Sequence, residues 1–279
     1  DRGEGWAGLS TEHAIPRSVR DSAVLLDLSC GPDVGAPYFA APPLRPYASE
    51  VGAKLQPLRI ALATRTPAGE KIAPECEQAV MQTARLLEEM GHRIEQTTLD
   101  FVPEELGPGF RMVIAGNTRV AIDLYAAKTG TRPGPGEFEK VTWSFFEAGA
   151  KASAAEYANA VLAVHRTGRM VGHFFERHDL LLTPTLPQPP EKLGVIDMNT
   201  ENPESYRRAI VLLTAFTAPF NASGNPAMSV PLHWTAEGLP VGVQFVARYG
   251  EEAVLFRLAA QLEQARPWSH RRPPLIPGS

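Results

Sequence analysis

The chain has 279 residues, with 27 Lys plus Arg against 31 Asp plus Glu, so its net charge of −4 supplies no broad positive field for nucleic acid. Hydrophobic residues make up 44% and charged residues 21%, which gives enough apolar material for a sizeable core and excludes disorder of the whole chain. Its 26 prolines exceed the average share of roughly 5% and cluster at 32–57, 103–108, 133–135, 184–203 and 267–277, marking long ordered loops.

Cys30 and Cys76 lie far apart and outside any Cys-x-x-Cys spacing. That pattern points away from a disulfide framework or a structural zinc and toward a reducing, cytoplasmic compartment. No apolar run approaches the roughly 18 residues of a membrane span, and residues 1–6 lack the core of a signal peptide. The first residue is Asp1 and not Met, so the expectation is either processing or a start inside a longer protein.

Residues 18–30 carry Val19, Ala23, Leu26 and Cys30 at the spacing of a helical stripe. Ser18 and Asp21 resemble a capping box with Asp in the usual Glu position, and Gly31-Pro32 closes the helix. After a Pro-rich connection, residues 58–63 read as a strand. Pro74 opens a helix with Val80, Ala84 and Leu87 on one face, Gly91 ends it, and residues 92–99 read as a second strand. Strand, helix and strand over so short a stretch make a βαβ unit with parallel strands.

Helical patterns then cover 110–128 and 152–177, separated by a turn-rich loop at 130–136. Residues 179–183 are a short apolar run suited to a buried strand. A helix is predicted over 206–217, strands over 227–232 and 241–247 joined through Glu237-Gly238, and a last helix over 254–264 before a loosely held Pro/Arg-rich tail. The pattern is α/β, without internal repeats and without a composition shift that would divide it, so one domain is expected.

Several chemical readings compete with plain structural ones. Gly3-Glu-Gly-Trp-Ala-Gly8 fits G-x-G-x-x-G, but no strand precedes it and residues 9–15 do not open a helix, so it reads as a glycine loop. His173, Glu176 and His178 are close in sequence, yet a five-residue spacing turns His178 away from His173 on a helix. The adjacent pairs Glu88-Glu89, Glu104-Glu105 and Glu251-Glu252 point apart and read as solvated surface. No G-x-S-x-G elbow announces a nucleophile.

Two small, polar stretches remain as candidate pocket walls. Residues 221–226, with Asn221, Ser223 and Asn225, read as a Gly-containing turn between a helix and a strand, with Ser223 a weak nucleophile candidate. Gly116 and Asn117 lie on a predicted helix where glycine gives up propensity. Trp143, Phe145 and Phe146 add aromatic surface for a substrate, or else core packing.

Three strings together carry a family resemblance. Gly8-Leu-Ser-Thr-Glu-His-Ala14 leads into Arg17-Ser-Val-Arg-Asp21, Leu25-Leu-Asp27 and Gly31-Pro-Asp33. Asp179-Leu-Leu-Leu-Thr-Pro-Thr185 follows. Last come Phe220-Asn-Ala-Ser-Gly-Asn-Pro-Ala-Met-Ser-Val-Pro231 and Gly238-Leu-Pro-Val-Gly-Val-Gln-Phe245. In this order they resemble the C-terminal portion of the amidase signature enzymes, in wording nearest to the linear-amide and nylon cyclic-dimer hydrolases. The resemblance implies a mixed β-sheet flanked by helices and a Ser–cis-Ser–Lys triad acting on an amide or ester carbonyl, with backbone N–H groups for the oxyanion and neither metal nor cofactor.

The family's catalytic Lys and Gly-Gly-Ser-Ser stretch would both precede Asp1. Lys54, Lys71, Lys128, Lys140, Lys151 and Lys192 sit in contexts that do not match the catalytic one. No catalytic residue is therefore assigned, and the substrate-wall candidates are Gly116, Asn117, Trp143, Phe146, Asn221 and Asn225. The expected partner is a small-molecule amide or ester, with no nucleic acid and no membrane, and self-association through exposed sheet edge or apolar surface. Two other readings stay open: a non-catalytic binding or scaffold module that kept the fold, and an esterase recruiting Ser223 or Ser10.

Overall fold

The structure, a computed structural model, describes residues 5–36, 38–100, 102 and 104–271. The first two residues of the glycine motif at 3–8 and the tail from 272 lie outside them. What is described of that motif is a short 3-10 turn at Gly5–Gly8, followed by extended chain and not by a phosphate-binding helix.

Helix α1 (Val19–Ser29) starts where Ser18 Oγ accepts the Asp21 backbone N–H at 3.1 Å. Strand β1 (Arg59–Leu62), helix α2 (Pro74–Glu89) and strand β2 (Arg93–Gln96) form the predicted βαβ unit, with β1 and β2 parallel. Helix α2 has Pro74 in its first turn and Glu75 and Glu77 at its electropositive N-terminus. Its buried Cys76, Ala79, Val80, Thr83, Ala84 and Leu87 recur at helical spacing.

Helices α3 (Leu106–Thr129), α4 (Lys140–Lys151) and α5 (Ala154–Phe174) follow. Helix α4 was not expected from the sequence. Helix α5 opens with a complete capping box, Ser153 Oγ accepting from the Glu156 N–H at 3.2 Å and Glu156 Oε2 from the Ser153 N–H at 2.7 Å. Strand β3 (Leu180–Pro184), helices α6 (Pro203–Leu213) and α7 (Ala218–Ser223), strands β4 (Ala227–Trp234) and β5 (Pro240–Ala247) and helix α8 (Glu252–Ala265) complete the chain.

The five strands form one mixed sheet in the order β2-β1-β3-β5-β4. Strand β3 is parallel to β1 and antiparallel to β5, and β4 and β5 form a hairpin with a bulge between Pro231 and His233. Central position explains the apolar run of β3, every residue of which is buried. Helices α2 and α8 pack on the sheet, α3 packs on α4 and α5, and α5 packs on α7. Val171 and Phe174 at the end of α5, with Phe216 and Phe220, join the main core.

Residues 221–223, expected in a turn, form the last turn of α7. Gly224 follows in the left-handed conformation at φ 71°, its N–H returning to the Phe220 carbonyl. No helix among the described residues is long and apolar enough to cross a membrane.

Candidate functional site

The end of α7 faces α5 closely. A side chain at Gly168 would begin 3.8 Å from the Ser223 Cα, so α5 and α7 approach almost backbone to backbone. Beside this crossing opens a cleft of about 730 Å³, lined by Gly168, Gly172 and Phe175 from α5 and its end, by Ser223 and Asn225, and by Glu176, Arg248 and Tyr249. The sequence reading found Ser223 and Asn225 but missed the α5 contribution. Its available signal was two glycines four residues apart, which share one helix face.

Each polar group of this wall has a definable task. Asn225 Nδ2 donates to the Ala247 carbonyl at 2.7 Å and ties the entry of β4 to the exit of β5. The Arg248 guanidinium donates to the carbonyls of Phe175 (2.9 Å) and His178 (3.0 Å) and to Asp179 Oδ1 (2.5 Å). Asp179 also takes hydrogen bonds from the Arg59 backbone N–H at 2.8 Å and guanidinium at 2.9 Å. Burial pushes the Asp179 carboxyl up, but the hydrogen bonds from Arg59 and the charges of both arginines outweigh it and hold it at about 2. Arg248 is thus a structural clamp at the cleft edge.

Ser223 differs. Its Oγ is buried and, among the described residues, is the one buried side-chain polar atom without a hydrogen-bond partner. No imidazole or lysine amine among the described residues lines the cleft to deprotonate it. The carboxylate in the lining, Glu176, is exposed and pairs with His173 at 3.2 Å. His178 is buried against Phe174, ring centroids 4.9 Å apart, and no group of three metal-binding side chains occurs among the described residues.

The remaining candidates are not in the cleft lining. Asn221 Nδ2 donates to the Leu9 carbonyl at 2.9 Å and the Thr11 hydroxyl at 3.2 Å, pinning the N-terminal segment to α7. Asn117 Nδ2 donates to the Val113 carbonyl within α3 at 2.9 Å and to the Tyr157 hydroxyl at 3.3 Å. Gly116 lets the Tyr157 ring lie against α3, since an added Cβ would sit 3.1 Å from two ring carbons. Leu9, Val113, Ala160 and Val164 form one small core cluster on which Tyr157 and Ala222 pack, so the 116–117 and 221–222 stretches converge there.

Trp143 and Phe146 project from α4, ring centroids 4.8 Å apart, with Phe138 stacked 6.0 Å from Trp143. Phe146 is buried under the Arg119 guanidinium, 4.4 Å from its centroid. Asp27, within the first resembling string, accepts the backbone N–H groups of Tyr47 (2.6 Å) and Ala48 (2.9 Å), a structural cap for the short turn there.

The mixed sheet, its helical flank and a cleft with a buried, unpartnered serine hydroxyl define an α/β scaffold whose cleft lining pairs Ser223 with no imidazole or amine. Residues 6–256 match the family described as Amidase. The 6-aminohexanoate-cyclic-dimer hydrolase of Paenarthrobacter ureafaciens is 32% identical over 282 residues, covering 97% of this chain and 56% of that protein. A solved 6-aminohexanoate cyclic dimer hydrolase in complex with substrate superposes with a TM-score of 0.86 at 30% identity, over 92% of this chain and 55% of that one. A bacterial aryl acylamidase of the amidase signature family shares the fold, with a TM-score of 0.74 at 21% identity over 91% of this chain and 52% of the other. The chain belongs to the amidase, or amidase signature, family. It spans about half the length of the curated relatives it matches.

Proposed function

We propose that these residues are the C-terminal portion of a hydrolase that cleaves a carboxylic amide, or an ester, through a Ser–cis-Ser–Lys triad contributed from outside the 279 residues. In that reading a lysine deprotonates the bridging serine, which activates the nucleophilic serine against the carbonyl, and an acyl-enzyme is then hydrolysed. The observation that carries it is the near-complete match of this chain to just over half of an amide hydrolase, joined to a cleft lined by Ser223 without an imidazole or a lysine amine. The likeness to the 6-aminohexanoate-cyclic-dimer hydrolases supports an amide as substrate.

The six wall residues divide by task in this proposal. Trp143 and Phe146 offer apolar surface to the acyl or amine side of the substrate. Asn117, Asn221 and Asn225 act as positioning residues through their bonds to backbone carbonyls, and Gly116 admits Tyr157.

The chain by itself is expected not to turn over amides. An amide carbonyl requires an activated nucleophile, a base within about 3 Å and donors aimed at the oxyanion. The test is an assay of the purified chain on activated anilides and p-nitrophenyl esters with a fluorophosphonate probe alongside. The expected result is neither turnover nor labelling, with both restored in a version extended by its upstream coding sequence. Turnover that survives repurification and vanishes in Ser223→Ala or Ser10→Ala establishes the esterase reading instead. Inertness of the extended version as well establishes the scaffold reading.

A further inference from the structure

A second crevice lies at the other end of β4, remote along the strand from the cleft at Ser223 and Asn225. It has a volume of about 330 Å³, at the small end of the range of ligand sites. His233 and Trp234 from β4, Arg266 at the end of α8, and His270 and Arg271 from the loop beyond line it. Arg266 and the loop lie past the segment matched to the family, residues 6–256.

Three observations bear on what it does. First, its four basic side chains line one crevice with no acid in the lining, and among the described residues none of them has an ion-pair partner. One cation at this place answers the C-terminal end of α8, whose dipole is worth about half an elementary charge. Two guanidiniums with two imidazoles beside them exceed that need. Second, the crevice is shaped in advance. Arg17 donates to the carbonyls of Ser269 (3.2 Å) and Arg271 (2.9 Å), and Trp268 Nε1 donates back to the Arg17 carbonyl at 3.0 Å, so the 267–271 loop is held from α1's entry. Third, the Arg271 guanidinium is stacked 3.9 Å from the Trp234 ring centroid, which leaves its edge N–H groups available to a ligand. Burial and the neighbouring charge of Arg266 both disfavour protonation of His233, opposed by Glu75 on α2. Such mutual repulsion is what a bound anion relieves.

We propose that this crevice binds a phosphate-class oxyanion, either free phosphate or a small phosphomonoester, between Arg266, Arg271 and the two imidazoles. Two guanidiniums can each offer a fork of N–H donors, and a phosphate near its second ionisation carries more charge and more acceptors than a carboxylate does. The Trp234 face gives a phosphomonoester a flat surface for its organic part. This site does not depend on the catalytic reading above.

The test is calorimetric titration of the intact 279-residue chain with inorganic phosphate, phenyl phosphate and acetate at neutral pH and low ionic strength. Expected is saturable phosphate binding, weakened about tenfold or more in Arg266→Gln and Arg271→Gln and unchanged in Arg132→Gln, an exposed arginine elsewhere. Tighter binding of phenyl phosphate than of inorganic phosphate identifies an organic ester as the occupant, and equal binding identifies the free ion. A second readout needs no variant: the imidazole NMR signals of His233 and His270 shift on adding phosphate and that of His173 does not. Phosphate binding no tighter than acetate, equal loss in Arg132→Gln, or still imidazole signals at His233 and His270 overturns the proposal.

Discussion

At the scale of single residues, the strongest electrostatic commitment outside the cleft is Glu50. Its side chain is 4% exposed and accepts from Arg45 Nε (2.5 Å) and from Arg257 Nε (2.5 Å), joining the short turn at Tyr47–Glu50 to α8. The hydrogen bond from Arg45 first, then Arg257, holds its carboxyl down at about 2 against the opposing effect of burial. A carboxyl depressed in the folded state stabilises fully above its ordinary value near 4.5 and loses that contribution as pH falls toward 2. Glu50→Gln is therefore expected to cost about 2 kcal/mol at pH 7, the scale of a hydrogen bond to a charged group. The deficit against the natural chain should shrink as pH drops below 4.5 in urea unfolding curves; a deficit constant from pH 7 to pH 3 rules this account out. None of this clamp was visible in the sequence, because Arg45, Glu50 and Arg257 gain meaning only when a distant helix is brought beside a loop.

Among elements, helix starts and glycine contacts make the sharpest claims. Ser18 caps α1 through the Asp21 N–H, and Ser18→Ala should lower stability by about 1 kcal/mol; an unchanged melting curve refutes the cap. On α4, a Cβ at Gly149 would lie 2.3 Å from the Ala115 carbonyl oxygen of α3, whereas one at Gly172 on α5 meets nothing within 4 Å. Gly149→Ala is expected to destabilise by about 2 kcal/mol through forced separation of α3 and α4. Gly172→Ala should stabilise by up to about 1 kcal/mol from reduced backbone freedom in the unfolded chain. The same contrast shows what sequence can reveal. Helix α2 was legible because its buried face keeps a clean helical period, and strands β1 and β3 because their place inside the sheet makes them short continuous apolar runs. Helix α4 was missed because its Val141 and Phe146 bury against another helix, within a stretch dominated by aromatic and turn-forming residues. The cleft was half legible: Ser223 and Asn225 stood out as a polar, glycine-bearing segment, while Gly168, Gly172 and Arg248 enter it only through the crossing of α5 over α7.

For the whole molecule, the open question is what covers its apolar surface. Both ends of the sheet are guarded. Strand β2 presents Arg93, Glu95 and Gln96 to solvent, and β4 carries Pro231 and a bulge, devices that discourage edge-to-edge pairing. The exposed apolar residues lie elsewhere: Val24, Leu25 and Leu28 on α1, Tyr38, Phe39 and Leu44 in the extended connection after it, and Val120, Leu124 and Tyr125 on α3. Monomeric proteins rarely leave large contiguous apolar patches in water, and relatives have nearly as much chain again as is matched here. The isolated chain should therefore self-associate through the α1 and α3 faces and not through the sheet. Sedimentation velocity across a concentration series is expected to show reversible growth in mass. The double substitution Leu28→Lys with Leu124→Lys should shift the population toward monomer, while thermal stability stays the same because both side chains are largely exposed at 79% and 66%. A charge placed on the β4 edge by Ser229→Lys should leave the distribution unaltered. If instead Ser229→Lys alone dissolves the assembly and the helix substitutions do nothing, the sheet edge is the contact, and the guarding role assigned to Pro231 and the bulge is wrong.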